Sequence, residues 1–415
     1  MRRLVWAAIA CVLVAGACTS REAPEPIRIG AIYPLSGSQG PGGIDEHRGV
    51  ALAAQLVNED GGVNGRRVEL TSVDVPAADA APAAIHGLAD AGIDVVLGSY
   101  GSTISETAAR ATAADGLLFW ETGAVGMLPA DARRGELTFR MPPTGAVLGR
   151  NAIAFVADVL AGRLGREPSS LRWGISFVDD VYGRSVAAGA GAELRERGLP
   201  LAGRFGYDAA EADMGAIAQE IAAARIDVLF VSAYLEDGVA LRRALVDRRV
   251  PLVANIGTSS SYCMPEFGAA LGHKAVGVFA SDKPDATALD PSGLAAGAAA
   301  LLERANAAYR GDHGTDMSPA ALAGFSAAWA LFTTVLPRAG DPSSAPSVAA
   351  AAQAVDLPRG SLPNGSGLRF GSPGTPDAGD NLRAAGVIWE WVAPGEHVAV
   401  WPPLVATHAV ELLPI

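Results

Sequence analysis

Short apolar runs of β type alternate with helical stretches from residue 27 to about 256, and no other feature narrows the fold so far. The strands read at 27–32, 67–73, 95–97, 117–120, 173–178, 201–207, 228–231 and 251–256. Helices read at about 44–58, 77–90, 103–114, 146–164, 182–197, 212–223 and 236–247. Runs such as Val228-Leu229-Phe230-Val231 are apolar throughout rather than alternating, the mark of parallel strands covered on both faces. The series breaks near 140–150, and 415 residues exceed one ordinary core. The expected architecture is α/β, with two doubly wound parallel-sheet lobes. Residues 289–337 read as one alanine-rich helical segment, and a shorter helix ends near Ala354. Residues 387–392 and 397–401, across Pro394-Gly395, read as an antiparallel pair added at a sheet edge.

The N-terminus has a different plan. Arg2 and Arg3 precede the apolar run Leu4–Val14, and Ala15-Gly16-Ala17 lead into Cys18. A charged head, a short apolar core and small residues before a cysteine are the layout of a lipoprotein signal. The run is shorter than the about 20 residues of a spanning helix. Residues 1–17 are therefore expected to be a signal peptide, and residues 18–26 a lipidated Cys18 with a flexible tether. An ordinary secreted product and an uncleaved anchor are the alternatives. The expected location is the extracytoplasmic face of the cell membrane, held by lipid. After cleavage only Cys18 and Cys263 remain, which with Cys18 lipidated leaves no internal disulfide; Cys263 is read as a small buried hydrophobe, with a reactive thiol as the alternative. A formal net charge of −12 argues against nucleic acid as a partner.

Chemistry-bearing motifs are scarce. The chain has no G-x-S-x-G, H-E-x-x-H or G-x-x-x-x-G-K-[ST]. Gly189-Ala190-Gly191 falls inside a helix, where it makes no dinucleotide loop. His47, His86, His273, His313, His397 and His408 lack metal-ligand spacing and are expected mostly at the surface. No catalytic residue, metal or cofactor is expected. Doubly wound sheets bind ligands beyond the carboxyl ends of their strands, which points to loops. After strand 95–97, Ser102 or Thr103 opens a helix. A hydroxyl and free N–H groups there suit an anion, or the hydroxyl simply caps the helix. The loop Thr122-Gly123-Ala124-Val125 follows strand 117–120 on the same edge. In the second series Tyr182 and Tyr234 follow strands 173–178 and 228–231, where each either closes over a ligand or packs an edge.

The order of these segments resembles the leucine/isoleucine/valine-binding-protein group of solute-binding proteins that serve ABC importers. The matching pieces are Ile29-Gly30-Ala31-Ile32-Tyr33-Pro34-Leu35-Ser36-Gly37, Asn58-Glu59-Asp60-Gly61-Gly62-Val63-Asn64-Gly65, Val96-Leu97-Gly98 with Ser102-Thr103, Asp179 with Tyr182-Gly183, and Gly277-Val278-Phe279. The resemblance spans nearly all of residues 27–401. It implies a type I periplasmic-binding-protein fold with three crossovers. One lobe would be 27–147 plus 285–367, and the other 148–284 plus 368–410. It implies that Ser102 holds a ligand carboxylate and that the backbone of Gly123, Ala124 and Val125 adds contacts. Tyr182 and Tyr234 would close from the second lobe, and Thr103, Thr122 and Thr258 stand in the same loops.

One departure matters. Amino-acid binders of this kind carry an acidic residue after the strand equivalent to 251–256, whereas this chain reads Gly257-Thr258-Ser259-Ser260-Ser261-Tyr262. Glu121, Glu236 and Asp237 are the substitutes at hand. The implied function is capture of a small polar ligand (amino acid, amide or related carboxylate) by a monomer that delivers it to an ABC permease. A sensor of the same fold, or an extracytoplasmic hydrolase, are the other readings.

Overall fold

The computed structural model describes residues 24–129, 131–132, 136–287 and 289–414. The signal segment and Cys18 lie outside the described residues. Twelve strands among these form two sheets. The first contains β1 (Ile27–Tyr33), β2 (Val68–Asp74), β3 (Val95–Gly98), β4 (Leu118–Glu121) and β5 (Thr138–Arg140) in the order β2-β1-β3-β4-β5, all parallel. The second contains β6 (Trp173–Val178), β7 (Leu201–Tyr207), β8 (Val228–Ser232), β9 (Ala254–Thr258), β10 (Phe279–Asp282), β11 (Val387–Ala393) and β12 (Glu396–Trp401). Its order is β12-β11-β10-β9-β8-β6-β7, parallel up to β10, with β11 and β12 antiparallel at the edge. The chain passes between sheets three times, after β5, after β10 and before β11. This is the type I periplasmic-binding-protein fold, with a strand-order reversal beside β1 in one lobe and β6 in the other.

Most strands stand where the apolar runs placed them. Three differences have physical causes. Residues 289–337 do not make one helix: Ala296–His313 ends at Gly314 in the left-handed region (φ 76), and a new helix, Pro319–Ala330, starts under a Ser318 cap that accepts Ala321 N–H at 3.2 Å. The strand expected at 251–256 lies at Ala254–Thr258 instead: Pro251 is exposed and Leu252 and Val253 are half-buried ahead of the sheet. The segment after 367, expected in the second lobe, first runs along the first: Phe370 packs edge-on against Trp120 (5.3 Å) and Phe139 (4.8 Å), and Asp380 bridges to Arg140. Strand β5 is too short, and β10 (Phe279-Ala280-Ser281-Asp282) too polar, to show as a separate apolar run.

Glycines set the closest helix contacts in both lobes. In the first, a Cβ on Gly49 of the helix Gly40–Glu59 would lie 2.0 Å from Ala321 O, and one on Gly324 2.3 Å from Glu46 O. In the second, Gly149 and Gly189 meet Val186 O at 2.2 Å and Ala146 O at 2.1 Å in the same way. Gly189 therefore serves helix packing. Backbone oxygens cannot swing aside, so Gly49→Ala is expected to cost on the order of 1–3 kcal/mol, read as a lower denaturation midpoint.

Candidate functional site

The two sheets turn their carboxyl ends toward each other, and a cavity of about 470 Å³ lies between them. From the first lobe come Ser38, Gln39 and Pro41 after β1, Pro76–Ala78 after β2, and Gly101, Thr103 and Ile104 after β3. From the second come Ala209 after β7 and Tyr234–Asp237 after β8. The space matches the size and mixed character of small-molecule sites. It continues inward as a narrow gap of about 40 Å³ beside Tyr100, Ser260 and Met264. Ser260 holds a left-handed φ of 24 without being glycine, a strained backbone at the junction of the lobes.

Three helices start at this cavity, and their starts differ. The helix Ser102–Asp115 has no side-chain cap at Gly101. The helix Gly40–Glu59 likewise begins uncapped, with Pro41 in its first turn. The helix Leu235–Asp247 carries Glu236 and Asp237 in its first turn, where carboxylates offset the positive end of the helix dipole. Asp237 is only 8% exposed and accepts a hydrogen bond from the Tyr207 hydroxyl. Burial raises its carboxyl, against the hydrogen bond from Tyr207 that lowers it. The Tyr234 hydroxyl donates to Asp180 Oδ2 at 2.5 Å, and Asp180 also caps the helix Val181–Glu196 through Gly183 N–H. Burial and the neighbouring Asp180 carboxylate keep the Tyr234 phenol well above its usual range.

Behind the cavity lies a buried polar cluster. Thr122 Oγ1 donates to Glu46 Oε1 at 2.6 Å and lies 2.7 Å from the Tyr33 hydroxyl. Burial drives the Glu46 carboxyl well above the carboxylate range, Lys283 opposes this, and Glu121 adds to it. Glu121 accepts from Ser105 Oγ, from Gly123 N–H at 2.9 Å and from Ala124 N–H at 2.8 Å. Burial outweighs those bonds and pushes its carboxyl up to about 7. Lys283, on the crossover after β10, reaches Gly123 O in the first lobe at 3.1 Å and ties the lobes together.

The periplasmic binding protein family model matches residues 26–378. The chain belongs to the periplasmic binding protein family. Members of this family are extracytoplasmic solute-binding proteins, and this binding protein has the family's fold over its length. It is 28% identical over 407 residues to Leu/Ile/Val-binding protein homolog 8 of Brucella suis, covering 97% of this chain and 96% of that one. Its fold matches that of the leucine binding protein LivK of Thermotoga maritima with a TM-score of 0.73 at 16% identity, covering 90% and 97% of the two chains. It also matches an ABC-transporter solute binding protein of R. palustris in complex with benzoate, with a TM-score of 0.72 at 15% identity, covering 94% and 99%.

Of the residues singled out from the sequence, Thr103 and Tyr234 line the cavity of this binding protein. The others are engaged nearby. Ser102 is 4% exposed, and its Oγ accepts Gly126 N–H at 2.9 Å. Gly123 and Ala124 spend their N–H groups on Glu121, and Val125 O accepts Gly145 N–H. Tyr182 is 1% exposed, 5.5 Å from the Tyr234 ring, with its hydroxyl 3.4 Å from Thr258 O. Thr258 belongs to β9 because that strand runs later than expected, and its hydroxyl donates to Ser281 O at 2.6 Å. Glu236 and Asp237 reach the cavity, whereas Glu121 faces the cluster behind it. Ser38, Gln39, Pro76–Ala78 and Ala209 were missed. Each follows the carboxyl end of a strand, so the same rule applied to every loop would have found them.

Cys263 is a free thiol, 2% exposed, and burial pushes it well above its usual range. His397 is not at the surface: it stacks on Trp389 at 4.5 Å and pairs with Asp285 at 2.6 Å. Among the described residues no group of three His, Cys, Asp or Glu side chains has metal-holding geometry.

Proposed function

We propose that this binding protein is a lipid-anchored receptor that captures a small polar solute between its lobes and hands it to an ABC permease. The observation that carries the reading is the 470 Å³ cavity between the carboxyl ends of both sheets, lined from both lobes. Bound solute then bridges the lobes and favours their closed arrangement, because it contacts both walls only there. Micromolar capture needs about 8 kcal/mol, which a few charge-assisted hydrogen bonds at about 1.5–3 kcal/mol each and apolar burial supply. The proposed contacts are Thr103 and Tyr234, with Ser102, Thr122–Val125, Tyr182 and Thr258 as the supporting shell. An amino acid, an amide or a related carboxylate, suggested by the relatives named for leucine, isoleucine and valine, is the class to screen first. The neighbour solved with benzoate extends the screen to aromatic acids.

Isothermal titration tests the reading. Tyr234→Ala is expected to weaken a bound solute at least tenfold while leaving the melting temperature within a few degrees. Unchanged affinity would remove Tyr234 from the site. For the anchor, Cys18→Ser is expected to release the protein to the soluble extracytoplasmic fraction with its affinity intact, and retention in washed membranes would count against lipidation at Cys18.

A further inference from the structure

We propose that the hinge holds a small polar seat, separate from the solute cavity, between Asp282 and Lys283. It takes one neutral group that both donates and accepts hydrogen bonds. That group is a water molecule or the hydroxyl or carboxamide end of a solute.

A void of about 30 Å³ lies at the crossover after β10, with walls from both lobes. Tyr100 and Ala320 come from the first lobe, Cys263 and Met264 from the second, and Asp282 and Lys283 from the crossover itself. A water molecule takes up about 30 Å³ in the liquid and needs two to four polar partners, so the void suits one group of that size. Its two charged side chains are almost wholly buried: Asp282 is 3% exposed and Lys283 4%. They stand 3.7 Å apart, beyond hydrogen-bond reach of each other. Asp282 Oδ1 has no hydrogen-bond partner among the described residues. Lys283 Nζ gives one of its three protons to Gly123 O at 3.1 Å, which leaves two for other acceptors. An ion pair held apart beside a void of this size is the setting for a bridging group, which accepts from Lys283 and donates to Asp282. A buried carboxylate oxygen is costly to leave unbonded, and the bridge removes that cost.

The charge of the group follows from its surroundings. Asp282 and Lys283 already balance each other, and burial keeps the neighbouring Glu46 carboxyl well above the carboxylate range. An added ion would stand unbalanced in a buried site, so the seat favours a neutral group over a carboxylate or an ammonium. The void is also reachable from the cleft. The gap of about 40 Å³ at the inner end of the solute cavity shares Tyr100, Ser260 and Met264 with it. A passage of that size admits an unbranched end and stops a ring. The seat itself does not depend on which solute the cleft takes; entry of a solute's end rests on the capture reading above.

Crystallography of the intact protein tests the seat. Solute-free crystals, at a resolution that shows ordered water, are expected to hold one oxygen within about 3.2 Å of both Asp282 Oδ1 and Lys283 Nζ. Soaks then compare neutral and charged probes of one size. Methanol and formamide are expected to replace that oxygen; methylammonium and formate are expected to leave it in place. Pentane-1,5-diol separates the two sources. A diol hydroxyl in the seat, with its chain passing Tyr100 and Met264, shows that a solute's end reaches it from the cleft. Water that no probe displaces, the diol included, makes water the sole occupant. Direct contact between Asp282 and Lys283 with no density beside them overturns the proposal, as does formate or methylammonium bound in the seat. Either overturning result leaves solute capture in the outer cavity untouched.

Discussion

Lys283→Met is expected to lower folding stability by about 3–5 kcal/mol, the usual cost of removing one partner from a buried charge group. Lys283 is 4% exposed and lies 3.7 Å from Asp282 Oδ1. Burial by itself disfavours its ammonium; the Asp282 carboxylate and then Glu46 outweigh that and hold Lys283 above its ordinary range. Asp282 Oδ1 and Glu46 Oε2 have no hydrogen-bond partner in their buried positions, so the lysine is what makes their burial tolerable. Methionine keeps the bulk of the chain and removes the charge. It also removes the bond to Gly123 O, one of the ties between the lobes. The check is a denaturant titration, with a lower midpoint at nearly unchanged slope. Asp282→Asn combined with Lys283→Met, which neutralises both partners, is expected to recover at least half of the loss. A loss under about 1 kcal/mol for Lys283→Met alone would mean that water already reaches this cluster.

Stability is expected to fall as pH rises from about 5 to about 8, and Glu121 is one cause. Its carboxyl is pushed from 4.5 up to about 7 in the folded chain, with burial outweighing the bonds from Ser105, Gly123 and Ala124. The folded state thus binds this proton more tightly than the unfolded state. The resulting stability is complete below about pH 4.5 and is lost as pH rises through about 7. A shift of that size corresponds to about 3 kcal/mol. Glu46, raised well above the carboxylate range, and Glu390, pushed up to about 7, act in the same direction. Glu121→Gln keeps an oxygen for Gly123 and Ala124 N–H and removes the titration. Its denaturation midpoint is expected to vary less across the same range than that of the unaltered protein. Equal pH profiles for the two would show that Glu121 titrates near its ordinary value.

Much of the fold is legible in local sequence. The run Val228–Val231 is apolar at every position because its strand is covered on both faces, and that requirement shows in a handful of consecutive residues. The turn at Gly314 and the cap at Ser318 were equally local signals within the alanine-rich segment, but composition masked them. The site was less legible. Tyr234 and Thr103 follow strand ends and reach the cavity; Ser102 also follows a strand end and Thr258 is the last residue of β9, and neither lines it. Nothing in the residues 98–103 says that Gly126 will fold back and donate to Ser102 Oγ.

Local residue patterns dictate the alternation, hence two parallel sheets and carboxyl-end loops as the place for a ligand, because strand burial and helix periodicity act over a few residues. Which hydroxyls are spent and which carboxylates face the cleft is set by long-range packing. Those outcomes depend on partners far apart in the chain: Tyr207 with Asp237, Asp180 with Tyr234, Lys283 with Gly123. A hydrogen bond takes its direction from its partner, and the partner is chosen by packing.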